Sequence, residues 1–253
     1  MNSKNKIGKQ VVAILTVIIC IVFAGCARSN TEETTTAVSG DLDEENNDQG
    51  DSSYEGIPVT DGEAFTYEET DGGMKITGYS EDYGLEVVIP SEIEGKTVAA
   101  IGEKAFASCD NIVSITMPDK VTEIGEFAFA WCSNLETVTL SNGLASIGAN
   151  AFLFDVALSE ISIPEGVTSI ETCTFSQCTY LKTVVFPDSL TTIGEKAFNE
   201  CTRLDELTVS PNVTSIADDA FENCKSTSWY TVLGSYVDEY ATNHGILHVG
   251  TSE

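Results

Sequence analysis

The residues whose type and spacing best suit chemistry are the cysteines. Six of the eight are Cys109, Cys132, Cys173, Cys178, Cys201 and Cys224, and all but Cys173 share one register of 23 residues, with Asp155 on the remaining rung. Thiols can oxidise to disulfides, bind zinc or attack an electrophile. Zinc asks for short paired spacings such as CxxC, and the only close pair here is Cys173 and Cys178, so no metal site is expected. If each step is one rung of a parallel stack, neighbouring cysteines have Cα atoms about 5 Å apart, within disulfide range. Their parallel side chains keep the Cβ atoms about as far apart, beyond the usual ~3.5–4.5 Å. Asp155 in the series also means that no pairing depends on a complete ladder. Buried free thiols acting as small apolar side chains are the expectation, with Cys173, outside the ladder, the more exposed.

The other chemistry-bearing residues form no constellation. The two histidines, His244 and His248, both lie in the last ten residues, and no Ser/His/Asp or Cys/His arrangement surrounds them. Glycoside hydrolysis needs two carboxylates across a cleft, but 40 acidic residues guarantee chance pairs, and solvated charge is the default reading of each. No GxxxxGK[ST] or GxGxxG phosphate loop is present. An enzyme is not expected, nor a cofactor. With 12 Lys+Arg and a net charge of −28, the chain is unsuited to nucleic acid, whose binding depends on Lys and Arg neutralising phosphates. Anionic lipid surfaces repel it unless something anchors it.

The elements that hold these residues are repeats. Phenylalanine recurs at residues 106, 129, 152, 175, 198 and 221, and isoleucine at 101, 124, 147, 170, 193 and 216, both at the cysteine step of 23. Six units therefore run from Val98 to Ser235. A period of this length with this apolar spacing predicts a leucine-rich-repeat solenoid. Each 23-residue unit carries a parallel β-strand on one face and a short helical or 3₁₀ turn on the other. Leu135, Val138 and Leu140 fit the LxxLxL strand segment, Ser141-Asn142-Gly143 turns the chain, Leu144 and Ile147 return to the core, and Ala149–Phe152 forms the outer turn. One unit cannot bury its apolar face alone, whereas stacked units can. Residues 63–97 form an N-terminal cap and first irregular repeat, with a hairpin over Phe65–Tyr79 turning at Asp71-Gly72-Gly73. Residues 236–253 form a C-terminal cap, with Ser235 and Asp238 spaced as a capping box, a helix stopped by Gly245, and a last strand at Ile246–Val249.

The phrase Val121-Thr122-Glu123-Ile124-Gly125-Glu126-Phe127-Ala128-Phe129-Ala130-Trp131-Cys132 resembles the repeat of the BspA-like leucine-rich repeat family. Ile193–Cys201 and the Ile163-Pro164 ending resemble it too. This likeness covers about residues 64–249. It implies adhesion to host matrix proteins or to other cells and offers no catalytic residue to transfer.

The first 25 residues carry Lys4, Lys6 and Lys9 and no acid, followed by a 13-residue apolar run from Val11 to Phe23. That is short of the roughly 20 residues a membrane span needs and reads as a secretory signal. Phe23-Ala24-Gly25-Cys26 resembles the lipobox of bacterial lipoproteins, with Phe where the family usually has Leu. It implies cleavage before Cys26 and a thioether-linked diacylglycerol on that residue, leaving the chain outside the cytoplasm, held at the membrane or cell surface by lipid alone. Residues 26–62 are acidic and rich in Ser, Thr, Asn and Gly, and read as a disordered tether with a reach on the order of 35 Å. As a calcium loop from Asp41 the stretch fails, with Asn46 and Ser52 where glycine and glutamate belong.

Binding is the function this architecture favours. Solenoids expose a strand face as an extended surface, and the outward residues here are Ser114 and Thr116, Thr137 and Thr139, Glu160 and Ser162, Thr183 and Val185, and Glu206 and Thr208. Their hydroxyls can hydrogen-bond a protein or a glycan, although threonine is also simply a good strand former. A second candidate patch is aromatic, from Trp131 and Phe154 in equivalent positions of adjacent units with Tyr180 near them; the same rings can instead cover the outer turns. The rival to an adhesin is a spacer or envelope scaffold with no external ligand.

Overall fold

A computed structural model describes residues 58–224 and 227–252. The expected signal segment, Cys26 and the tether as far as residue 57 lie outside the described residues. The chain joins the solenoid at Thr60, whose N–H donates to the Val88 carbonyl at 2.9 Å while its hydroxyl accepts from the Val88 N–H at 3.0 Å. Asp61 then caps a 3₁₀ turn at Gly62–Ala64. The expected hairpin follows, with β1 (Phe65–Thr70) antiparallel to β2 (Gly73–Tyr79). β3 (Glu86–Val88), β4 (Glu92–Ile93) and β5 (Lys96–Ile101) complete the irregular first turn, and β5 pairs in parallel with β2.

From there each unit supplies two strands. One column holds the three-residue strands β6 (Ser114–Thr116), β8 (Thr137–Thr139), β10 (Glu160–Ser162), β12 (Thr183–Val185) and β14 (Glu206–Thr208). The other holds the two-residue strands β7 (Glu123–Ile124), β9 (Ser146–Ile147), β11 (Ser169–Ile170), β13 (Thr192–Ile193) and β15 (Ser215–Ile216). β16 (Ser228–Val232), helix α1 (Tyr236–Asn243) and β17 (Leu247–Thr251) close the solenoid. In the first column the middle residue points inward, so Ile115, Ile161, Val184 and Leu207 are buried between outward neighbours, as period-2 geometry requires. The second column is a structural addition to the sequence reading. Ile147 is buried as expected, but Ser146–Ile147 also ladders with Glu123–Ile124.

The outer segments keep the i→i+3 hydrogen bonds expected of short 3₁₀ turns, such as Ala128 N–H to Gly125 O at 3.3 Å and Cys132 N–H to Phe129 O at 3.2 Å. They do not run on as helix, because left-handed residues interrupt them. Phe127 and Trp131, Asn150 and Phe154, Cys173 and Gln177, and Lys196 and Glu200 all have φ between 52° and 65°. Such a conformation costs roughly 1–2 kcal/mol per non-glycine residue. What holds it is a third column of lateral bonds, with the N–H groups of Phe127, Phe129 and Trp131 donating to Ala149, Ala151 and Leu153 of the next unit at 3.1, 2.8 and 2.8 Å.

Lateral closeness also selects glycine. A Cβ at Gly125 or Gly148 would stand 2.6 Å from a backbone nitrogen of the preceding unit. Glu171 occupies the equivalent place one unit later, and there the second column is interrupted between β9 and β11.

The six phenylalanines form one internal stack. Successive ring centroids from Phe106 to Phe221 lie 5.0, 5.1, 5.3, 5.4 and 5.1 Å apart. The caps extend it. Tyr79 stacks on Phe106 at 5.4 Å, Trp229 meets Phe221 edge-on at 4.8 Å, Tyr240 stacks on Trp229 at 5.8 Å, and His244 lies 3.9 Å from Tyr240. Half of the expected capping box forms: Ser235 Oγ accepts from Asp238 N–H at 3.2 Å. The Asp238 carboxylate turns instead to Gly234 N–H at 3.0 Å and Thr231 Oγ at 2.9 Å.

Because Phe152 is fully buried in mid-stack, Phe152→Ala should lower unfolding free energy by roughly 3–5 kcal/mol. Phe221→Ala, at a partly buried end, should cost less. Denaturant titration of both variants checks the order.

Candidate functional site

The strand face places the expected binding residues in two straight rows. One row runs Ser114, Thr137, Glu160, Thr183, Glu206 and the other Thr116, Thr139, Ser162, Val185, Thr208, each residue one strand from the next. Ser114 and Thr116 are half-buried and the remaining eight are exposed. None of these side chains hydrogen-bonds another described residue, so the hydroxyls and the Glu160 and Glu206 carboxylates face solvent.

The rows continue beyond the residues the sequence indicated. β16 pairs with β14 so that Ser228 follows Glu206 and Tyr230 follows Thr208; β17 adds Leu247 and Val249. The spacing from Thr208 to Tyr230 is one residue short of the repeat, so counting by 23 misses it. The alternation within Ser228-Trp229-Tyr230-Thr231-Val232 is the signal that finds it. Val185, Tyr230 and Val249 are 54%, 39% and 57% exposed, so one row changes from hydroxyl to apolar toward the C-terminal end.

The aromatic trio sits on the outer turns and is not brought into mutual ring contact. Trp131 stacks on Phe127 of its own unit, 5.7 Å between centroids and nearly coplanar. Phe154 is partly exposed, and the Tyr180 ring is covered by the Arg203 guanidinium at 3.8 Å.

None of the six described cysteines is in a disulfide. Cys132, Cys178, Cys201 and Cys224 each donate S–H to a phenylalanine carbonyl of the preceding unit at 3.0–3.1 Å. Burial pushes the thiols of Cys132, Cys178 and Cys201 well up, and that of Cys224 to about 12, so none is a nucleophile. Cys173 is half-buried, as is Cys224. Asp155 takes a cysteine's rung and is fully buried. Its Oδ1 accepts from Cys132 N–H at 2.9 Å, while Oδ2 has no partner. Burial drives its carboxyl far above the usual carboxylate range, so it is held as a neutral acid between the protonated thiols of Cys132 and Cys178. Among the described residues no cluster of His, Cys, Asp and Glu is arranged to hold a metal ion.

The profile described as BspA type Leucine rich repeat region matches residues 99–228 in six copies. No curated protein matches the chain. Among solved structures, a leucine-rich repeat protein of T. pallidum is 27% identical with a TM-score of 0.60, the match covering 78% of this chain and 100% of that one. A leucine-rich repeat protein of Eubacterium ventriosum, 22% identical with a TM-score of 0.52, is covered over 49% of its length and 62% of this chain. A leucine-rich cell surface protein of Faecalibacterium prausnitzii is 30% identical with a TM-score of 0.49, covered over 55% of its length and 69% of this chain. The chain thus spans all of the first and about half of the other two.

The Asp155 geometry sets a pH dependence. Its folded pKa lies above its unfolded value, so above the ordinary carboxylate range the folded state holds a proton that the unfolded state has lost, and stability falls as pH rises. The difference in unfolding free energy between wild type and Asp155→Cys should therefore widen from about pH 5 to about pH 8. The variant, which restores the ladder, should be more stable by roughly 1–3 kcal/mol at neutral pH. Parallel denaturant titrations across that range check both.

Proposed function

The chain belongs to the BspA type leucine-rich repeat family, and from that premise we propose that it is a lipid-anchored bacterial surface protein that binds partner proteins through its strand face, as in adhesion to a host or to another cell. The observation that carries the reading is the double row of outward residues from Ser114 to Thr208, whose polar side chains hydrogen-bond no other described residue and repeat at the strand spacing of about 4.8 Å. An extended polypeptide laid along the rows meets a donor or acceptor at every strand. The inward positions of the strands stay apolar while the outward ones vary between hydroxyl, carboxylate and valine, which is the division between a scaffold and a recognition surface. Binding of this kind needs no catalytic residue and no cofactor.

The support for the anchor is in the sequence: a basic start, a short apolar run and Phe23-Ala24-Gly25-Cys26. Among the described residues no helix is long and apolar enough to cross a membrane. Electrostatics offer nothing in place of a lipid, since a net charge of −28 is repelled by anionic headgroups.

Two outcomes test the reading. Cys26→Ala should abolish incorporation of labelled fatty acid and move the protein from the membrane to the soluble fraction. Protease added to whole cells should remove the solenoid, and cells carrying the full chain should retain a member of a panel of soluble extracellular proteins and glycans, with retention lost in the double variant Thr183→Arg, Thr208→Arg. A solenoid that survives protease on cells retaining nothing makes the protein an envelope scaffold, and retention of glycans alone makes it a lectin.

A further inference from the structure

The strand column does not close uniformly. β12 and β14 belong to separate ladders. Between β6 and β8, β10 and β12, and β14 and β16 the lateral bond after the strand is made, from Met117 N–H to Thr139 O at 3.0 Å, Ile163 N–H to Val185 O at 2.9 Å, and Val209 N–H to Tyr230 O at 3.3 Å; β8 and β10 also belong to separate ladders, without a bond from Leu140 to Ser162. The corresponding bond from Phe186 to Thr208 is missing. Phe186 is also the one aromatic in a core position that holds Met117, Leu140, Ile163 and Val209 elsewhere. Those four are buried, whereas Phe186 is half-exposed with its ring set edge-on to Phe198 at 5.8 Å. At this second parting the position holds a half-exposed aromatic ring.

A cleft of about 880 Å³ lies over the parting. Its apolar lining includes Val185, Phe186 and Tyr230, and its charged lining is Asp188, Asp205 and Glu206 against the single base Lys182. Glu160 extends the acidic side one strand beyond Thr183 in the same row as Glu206. From β6 to β10 the face offers only hydroxyls, Thr116, Thr139 and Ser162, at the positions that Val185 and Tyr230 occupy here. Aromatic and aliphatic groups exposed beside a cleft, ringed by uncompensated charge of one sign, have the make-up of a binding hot spot.

We infer that this cleft is the recognition site for a basic, amphipathic polypeptide segment of a partner protein, one that places an aromatic or branched aliphatic side chain against Val185, Phe186 and Tyr230 and sets lysine or arginine against Asp188, Asp205 and Glu206. The inference rests on the strand face being the binding face and narrows it to one end and one partner chemistry. The acidic rim selects against acidic segments by like-charge repulsion and speeds encounter with basic ones, so binding weakens as salt rises.

The test pans a random peptide library displayed on phage against the full chain in detergent micelles. Retained sequences should combine lysine or arginine with an aromatic or branched aliphatic residue. A synthetic copy of the commonest sequence, followed by fluorescence anisotropy, should bind Tyr230→Ser about tenfold more weakly. It should lose measurable binding to the double variant Asp205→Lys, Glu206→Lys and bind Lys120→Ala, an exposed position outside the strand rows, as it binds wild type. These three variants and Thr116→Arg alter exposed or half-buried surface positions, and an unchanged thermal midpoint verifies their fold. Retained sequences without basic residues, binding indifferent to the cleft variants, or no retained sequence at all overturn the inference. Binding that Thr116→Arg abolishes while the cleft variants leave it intact also overturns it, but leaves recognition by the strand face standing.

Discussion

Everything in this solenoid depends on adjacent units lying one hydrogen bond apart. Three columns of lateral bonds, two through short strands and one through the outer turns, hold each unit against the next. They set the spacing at which the six phenylalanine rings stack 5.0–5.4 Å apart. That separation is too small for most side-chain variation at inward positions, so isoleucine, phenylalanine, cysteine and glycine recur with little freedom. The same columns hold Trp131 and Phe154 in a left-handed conformation that isolated residues of their type avoid.

The departures from the repeat carry the individuality. Asp155 places a neutral acid among thiols, Glu171 stands where glycine lets the backbones approach, and Phe186 stands where a smaller apolar residue fits. Two of the three coincide with a parted strand column, at β9 and β11 and at β12 and β14. A repeat protein is stable as a sum over neighbours, so a local fault weakens one interface without unravelling the rest. That tolerance is what allows a cleft to open within the stack.

Charge serves the same architecture. A stack of strands ends in edges that invite pairing with other chains, and an acidic surface discourages it. Three of the seven described bases, Lys75, Lys96 and Lys104, are each engaged by a neighbouring glutamate. An acidic binding face therefore favours basic partners before any specific contact is made.

The repeat length, the phenylalanine, isoleucine and cysteine ladders, the hairpin at one end and the helix at the other were all legible in the residues, because a fixed period states which side chains share a place. The outward rows were legible for the same reason as far as Thr208, and lost where the step to Tyr230 shortens by one residue. The sequence alone determined that units stack and which residues fill their interior. Only the tertiary structure decided that Ser146–Ile147 and its counterparts form a second strand column, that Phe127 and Trp131 turn left-handed, and that the strand face parts between β8 and β10 and again between β12 and β14. Those outcomes depend on whether a given Cβ or ring fits against the neighbouring unit at the spacing the lateral bonds impose, and that is a property of two units in contact.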